Sequence, residues 1–229
     1  MQKDTIYLRL LIGFGALLLM ANSPVKAERI TSQRLMYSVD YAGQNAGDLE
    51  VIIENQGNQI EVTSHTHLSI LAKVFLTAQT SKAQFSMSGG IPRILGGADY
   101  KRKDLSLIRQ FTVNGDAVTL DSGETLVVPQ GDLLEADLFP IRLMASDFSS
   151  LGGKTIRVIS GKRMRVDQIE TPVQEQITTP RGTINTWRIT RFRADDPGNR
   201  VTYWFDELKR PAQIVSTRKG KNTILTLLP

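Results

Sequence analysis

Apolar and polar residues alternate along most of this chain in short runs separated by turn residues, and that period of two most limits its fold. In RLMYSVDYAG, Leu35, Tyr37, Val39 and Tyr41 fall on one face and Arg34, Ser38 and Asp40 largely on the other, as a half-buried strand requires. Asn45-Ala46-Gly47 offers a turn, DLEVIIEN returns, Gln56-Gly57-Asn58 turns again, and QIEVTSH continues with Ile60 and Val62 in phase. LSILAKVFLTA fits a helical stripe (Leu68, Leu71, Phe75) and a strand (Ile70, Ala72, Val74, Leu76) equally. Its β-branched content and surroundings favour a strand. Gly89-Gly90, Pro92 and Gly96-Gly97 mark bends, bulges or strand edges. A hairpin turning at Asn114-Gly115-Asp116 follows, because Asn-Gly supplies the positive φ a tight turn needs.

One segment departs from this rhythm. In GDLLEADLFPIRLMASDF, Leu134, Leu138, Ile141 and Met144 recur at intervals of four and three, which predicts a helix. Asp132 is placed to cap its first turn, Pro140 to kink it or start it near Phe139, and Gly152-Gly153 to end it. Strands then resume, with a loop expected at Asp195 to Gly198. In RVTYWFD the pleat puts Val201, Tyr203 and Phe205 on one face and Thr202, Trp204 and Asp206 on the other. The three adjacent aromatics therefore do not form one platform. Glu207 to Arg210 turn the chain, and Pro211 opens the next strand, a position that tolerates a missing N–H. The expected fold is all-β with one helix, a curved antiparallel sheet forming an open or half β-barrel of about twelve strands.

The N-terminus reads differently. Lys3 and Arg9 precede or flank an apolar run of eleven residues, Leu10 to Met20, followed by Pro24 and by Val25-Lys26-Ala27. That pattern predicts a secretory signal peptide over residues 1–27, cleaved after Ala27; the run is too short to span a bilayer. Residues 28–229 then form one β-rich envelope domain in the periplasm, with no further apolar stretch long enough to span a membrane. Without a cysteine there is neither a disulfide nor a lipid-anchored N-terminus. Net charge after removal of residues 1–27 is about +3.

Catalytic signatures are scarce. Gly-x-Ser-x-Gly does not occur, and the two histidines are His65 and His67. They share a strand face and could grip a metal together, but no third ligand lies nearby, so no metal site and no cofactor are expected. SSLGGKTI fails as a phosphate loop because Phe148 occupies the position of the first glycine and the segment precedes a strand. The carboxylate pairs Asp195-Asp196 and Glu135/Asp137 fit loops or a helix start. The chain is therefore expected not to be an enzyme. Basic residues cluster at Lys101-Arg102-Lys103, at Lys162, Arg163 and Arg165, at Arg188, Arg191 and Arg193, and at Lys209-Arg210 with Arg218, Lys219 and Lys221. Solvated turns explain most of them. An anionic envelope surface is the partner such charge would suit, and nucleic acid is not expected outside the cytoplasm.

Taken together, YSVDYAGQNAGDLEV, the segment after VVPQGDLLEAD, TTPRGTINTWRI and VTYWFDELKRPAQIV resemble the DUF-3108 family of exported bacterial envelope proteins. The resemblance spans nearly all of residues 28–229 and implies a β-rich exported domain without an established activity. More distantly, the layout is similar to the half-barrels of bacterial lipoprotein carriers. Two functions follow as expectations. One is a periplasmic protein that binds a lipid or other amphiphile on the concave face of its sheet. Tyr37, Val39, Ile52, Phe75, Leu107, Phe111, Trp187 and Tyr203 are its candidate lining residues. The other is an assembly or interaction module contacting a protein partner or a cell-wall polymer.

Overall fold

The structure, a computed structural model, describes residues 30–69 and 79–229. The predicted signal peptide, the ambiguous 70–78 run and Phe75 lie outside the described residues. Among the described residues sixteen strands follow one another. The first eight are β1 (Gln33–Tyr41), β2 (Gln44–Asn55), β3 (Gln59–Leu68), β4 (Gln79–Ser88), β5 (Ile91–Lys101), β6 (Leu107–Asn114), β7 (Ala117–Leu120) and β8 (Thr125–Val127). After β9 (Leu133–Ala136) come the helical turn α1 (Ile141–Met144) and a 3-10 turn, Phe148–Ser150. The rest are β10 (Thr155–Ser160), β11 (Arg163–Ile169), β12 (Val173–Thr179), β13 (Gly182–Arg193), β14 (Asp196–Phe205), β15 (Pro211–Arg218) and β16 (Lys221–Leu227).

These strands form one sheet in which sequence neighbours pair antiparallel and β1 pairs with β16. Two departures matter. β9 runs parallel to β10, and β12 pairs with the first half of β13 while β11 pairs with its last three residues. The sheet curls until its flanks meet without a closing ladder: the Asp121 N–H donates to the Gly161 carbonyl at 3.1 Å. A Cβ at Gly161 would lie 2.8 Å from Arg109 Cβ and 2.9 Å from the Gln110 nitrogen, so only glycine allows this approach. Gly97 acts similarly within the sheet, where an added Cβ would meet the Phe111 ring at 2.8 Å.

The predicted helix is mostly something else. Leu134 lies in β9, and Leu138 lies between that strand and the single turn of α1, which starts just after Pro140. Asp132 accepts from Arg157 Nε at 2.6 Å instead of capping a helix. The apolar spacing of four and three arises because residues 137–151 are a compact plug. Phe139, Ile141, Leu143, Met144, Phe148 and Leu151 are all buried in the same apolar cluster as the inward faces of the strands. Phe139 lies against Tyr37, with ring centroids 6.1 Å apart, and Phe148 against Phe205 at 4.8 Å. Two turns also differ from expectation. The chain reverses at Ala42-Gly43, leaving Asn45-Ala46-Gly47 inside β2, and β14 already begins at Asp196.

Tyr203 and Phe205 point inward and are buried, whereas Trp204 points outward, its Nε1 donating to Glu175 Oε1 at 2.6 Å. The pleat separates the aromatics as the alternation predicts. Pro211 opens β15 opposite Phe205, next to a bulge, and its carbonyl accepts the hydroxyl of fully buried Tyr37 at 2.9 Å.

Candidate functional site

Strand register lays the inward-facing residues of five neighbouring strands in rows. The first row, Ile189, Tyr203, Ile214, Leu225 and Val39, runs across β13, β14, β15, β16 and β1 and is apolar apart from one hydroxyl. One step toward the rim the row reads Arg191, Val201, Ser216, Thr223 and Tyr41. At the rim Arg218 stands opposite Lys221. On β11 the inward side passes from Ile169 through Asp167 to Arg165 and Arg163. The inner wall thus changes from apolar to cationic over two residue pairs, at the end of the sheet away from α1, where Asp137 at the start of the plug reaches Arg165 and Arg191.

The result is a cleft of about 590 Å³ at this rim. Eight basic side chains line it: Arg163, Arg165, Arg191, Arg193, Arg200, Arg218, Lys219 and Lys221. Asp167 is the one carboxylate among the lining residues. Arg165 donates to Asp137 at 2.7 Å, and Arg193 to Asp195 at 2.6 Å. Among the described residues, Arg163, Arg200, Arg218, Lys219 and Lys221 have no ion pair with a carboxylate. Arg218 shows the consequence. Its guanidinium is pushed down, first by partial burial, with Arg165, Arg163 and Arg191 adding repulsion that Asp137 only partly offsets. Like charges held together in a concavity focus an attractive field on anions.

The floor is built differently. Arg191 and Asp167 are 5% and 3% exposed, their side chains are ion-paired, and Arg191 Nε donates to the Tyr203 hydroxyl at 2.9 Å. Burial alone would pull Arg191 down, but Tyr203, Asp167 and Asp137 outweigh it and keep the guanidinium charged. Burial raises Tyr203, with Arg191 pulling the other way. Asp167 Oδ1 is buried without a hydrogen-bond partner.

The sequence-predicted residues distribute unevenly. Tyr37, Phe111 and Tyr203 are in the packed interior, and half-buried Trp187 borders it. Val39 points inward beside Leu225, while Ile52, out of phase with buried Val51 and Ile53, faces the other side. Leu107 is 48% exposed at the start of β6. Trp187 also lines a second cleft, of about 660 Å³, with Gln174, Gln176 and Asn185 near the plug. His65 shares a contact of 3.0 Å with Thr80, and His67 faces Glu50 at 3.8 Å; neither lines the cationic mouth. Burial lowers His65. No group of three metal-ligating side chains occurs among the described residues.

Of the basic clusters in the sequence, the structure joins part and separates part. Lys209 and Arg210 do not join Arg218, Lys219 and Lys221. Arg210 pairs with Asp206 at 2.7 Å, and Lys209 lies over the Phe148 ring beside the plug. Arg188 turns outward to Glu175 at 3.3 Å. Arg200 and buried Asp167 were not singled out by clustering, and Arg191 only as a member of its basic cluster, without its burial. Their signal is phase: each lies on the inward alternation of its strand or at the rim.

This is a β-barrel-like fold, incompletely closed, plugged by helical turns at one end and cationic at the other. The chain belongs to the DUF3108 family, a protein family of unknown function, whose model matches residues 36–217. Among curated proteins none matches in sequence. The fold is similar to the crystal structure of a beta-barrel-like protein, of the domain of unknown function DUF1849, from Brucella abortus. The TM-score is 0.53 and the identity 11%, over 88% of this chain and 98% of the other. Among the described residues no helix is long and apolar enough to cross a membrane.

Proposed function

We propose that this protein is a non-catalytic, exported binding protein of the bacterial envelope that captures the anionic group of an envelope constituent in its cationic mouth. The observation that carries this reading is the change of the inner wall from apolar to cationic, with five basic side chains at the rim that have no carboxylate partner among the described residues. Each basic residue near an anionic surface contributes about 1 kcal/mol, so five acting together supply about 5 kcal/mol. The amphiphile expected from the sequence is thereby narrowed to its headgroup. A tail on the concave face would have to displace Phe139, Leu143 and Phe148, which already occupy it.

The test is co-sedimentation of the purified protein with vesicles of phosphatidylcholine containing or lacking phosphatidylglycerol. Binding is expected with the anionic lipid alone, to weaken steeply between low and moderate salt, and to fall at least tenfold in Arg218→Ser/Lys221→Ser. Equal sedimentation with both vesicles, or an unaffected double variant, would contradict the proposal.

A further inference from the structure

The cleft at the plug end differs from the mouth in its chemistry. β13 pairs with β14 only from Trp187 onward, so residues 182–186 and β12 form a two-stranded ribbon that extends past β14. Register sets Gln174 opposite Trp187 and Gln176 opposite Asn185, which puts all four side chains on one face of that ribbon. Gln174, Gln176 and Asn185 are exposed, and half-buried Trp187 keeps part of its ring in the cleft. Buried Phe148 and Phe205 and the turn after β14 supply most of the remaining lining.

The charged groups here are largely engaged within the protein. Glu175 accepts from Trp204 Nε1 and pairs with Arg188, Asp206 pairs with Arg210, and Lys209 lies over the Phe148 ring. With three carboxylates and one lysine in its lining, the cleft lacks the cationic excess that the mouth offers a phosphate. What it presents is neutral amide beside aromatic carbon. Gln176 Nε2 donates to Asn185 Oδ1 at 2.9 Å, which leaves that pair, among the described residues, a carbonyl and an amino group for a ligand. A planar amide sets a donor beside an acceptor, as hydroxyls that both donate and accept require, and the C–H face of a sugar ring packs on an aromatic surface. The volume of about 660 Å³ falls among small-molecule sites, about 300–1,000 Å³, and exceeds one sugar ring.

We propose that this cleft is a second binding site, for a neutral oligosaccharide, with Trp187 against a sugar ring and Gln174, Gln176 and Asn185 hydrogen-bonded to its hydroxyls. The two sites share no lining residue, and this one does not rest on anion capture.

Calorimetry on the unaltered protein tests it with cellotetraose, maltotetraose and chitotetraose, and with tetraglycine as an uncharged-side-chain peptide. Saturable binding of at least one saccharide at millimolar concentration or below is expected, and none of the peptide. Gln174→Ala/Gln176→Ala alters exposed side chains only and should weaken that saccharide about tenfold. In Trp204→Phe, where Trp187 is the one indole left, the saccharide should change the fluorescence. Arg218→Ser/Lys221→Ser should leave its affinity within about twofold. No binding of any of the three saccharides, binding of the peptide as tight as theirs, an unaffected glutamine variant or a silent Trp187 would each overturn the proposal, and none of these results touches the binding of anionic vesicles at the mouth.

Discussion

Glu135 shows how one residue ties burial to local structure. It lies on β9, 3% exposed, where its Oε2 accepts the backbone N–H of Arg142 at 2.7 Å and Oε1 that of Ala136 at 3.2 Å. Pro140, at the start of α1, has no side chain able to cap it, so Glu135 satisfies the first free N–H from a distance. Burial pushes its carboxyl up from 4.5 to about 8, against the lowering effect of the backbone donors. The folded protein therefore holds a proton that the unfolded chain releases. The stabilisation is complete below about 4.5 and is lost as pH rises through about 8. Glu135→Gln, which imitates the protonated form, should match the natural protein near pH 5, exceed it at pH 8, and remove a slope of at most about 1.4 kcal/mol per pH unit. Urea unfolding across that range measures it; an unchanged slope would assign the titration elsewhere. Lys219 illustrates a different tension. With φ of +49° before Gly220 at +75°, it takes a left-handed position better suited to asparagine. Lys219→Asn should gain about 0.5–1 kcal/mol in stability while weakening anion binding. Ala42→Asn, at φ +52° in another tight turn, should gain stability without changing affinity.

At the level of elements, the plug and the seam decide whether the interior is occupied and whether the sheet curls. Phe139 is 3% exposed against Tyr37, and Phe139→Ala should cost about 3–5 kcal/mol. The vacated space is apolar, so the variant should take up a fluorescent fatty acid that the natural protein refuses. Uptake by both would show that the plug does not exclude an acyl chain. At the seam, Gly161→Val forces a side chain against Arg109 and the Gln110 backbone and should cost about 1–3 kcal/mol. Because the Asp121 N–H bonds to the Gly161 carbonyl, its hydrogen exchange should accelerate more than that of amides in β13 and β14.

Over the whole molecule, charge position outweighs charge quantity. The chain carries a formal net charge of +5, too modest to predict an anionic partner by itself. Folding gathers basic residues from β11, β13, β14 and the β15–β16 turn at one rim and leaves Lys209 and Arg210 near the other end. Arg218→Glu/Lys221→Glu and Lys101→Glu/Lys103→Glu change net charge equally. The first pair should abolish binding to phosphatidylglycerol vesicles and the second leave it within about twofold. Equal losses would mean that the protein senses total charge and has no localised site.

Alternation at period two settled the all-β class and the separation of Trp204 from Tyr203 and Phe205, because a side chain's face on a strand depends only on its own neighbours. The helix expected around Leu134 to Met144 failed because apolar spacing records burial, and a plug enclosed by a curled sheet buries residues as a helix face does. The mouth was only partly legible for a related reason. Arg191 follows Ile189 on the inward phase, but its burial depends on Asp167 and Tyr203, which come from other strands. Whether a charge at a turn faces solvent or a concavity is set by curvature and by contacts between distant strands. Local sequence dictated the strands and their faces, and the curl of the sheet decided which of those faces met.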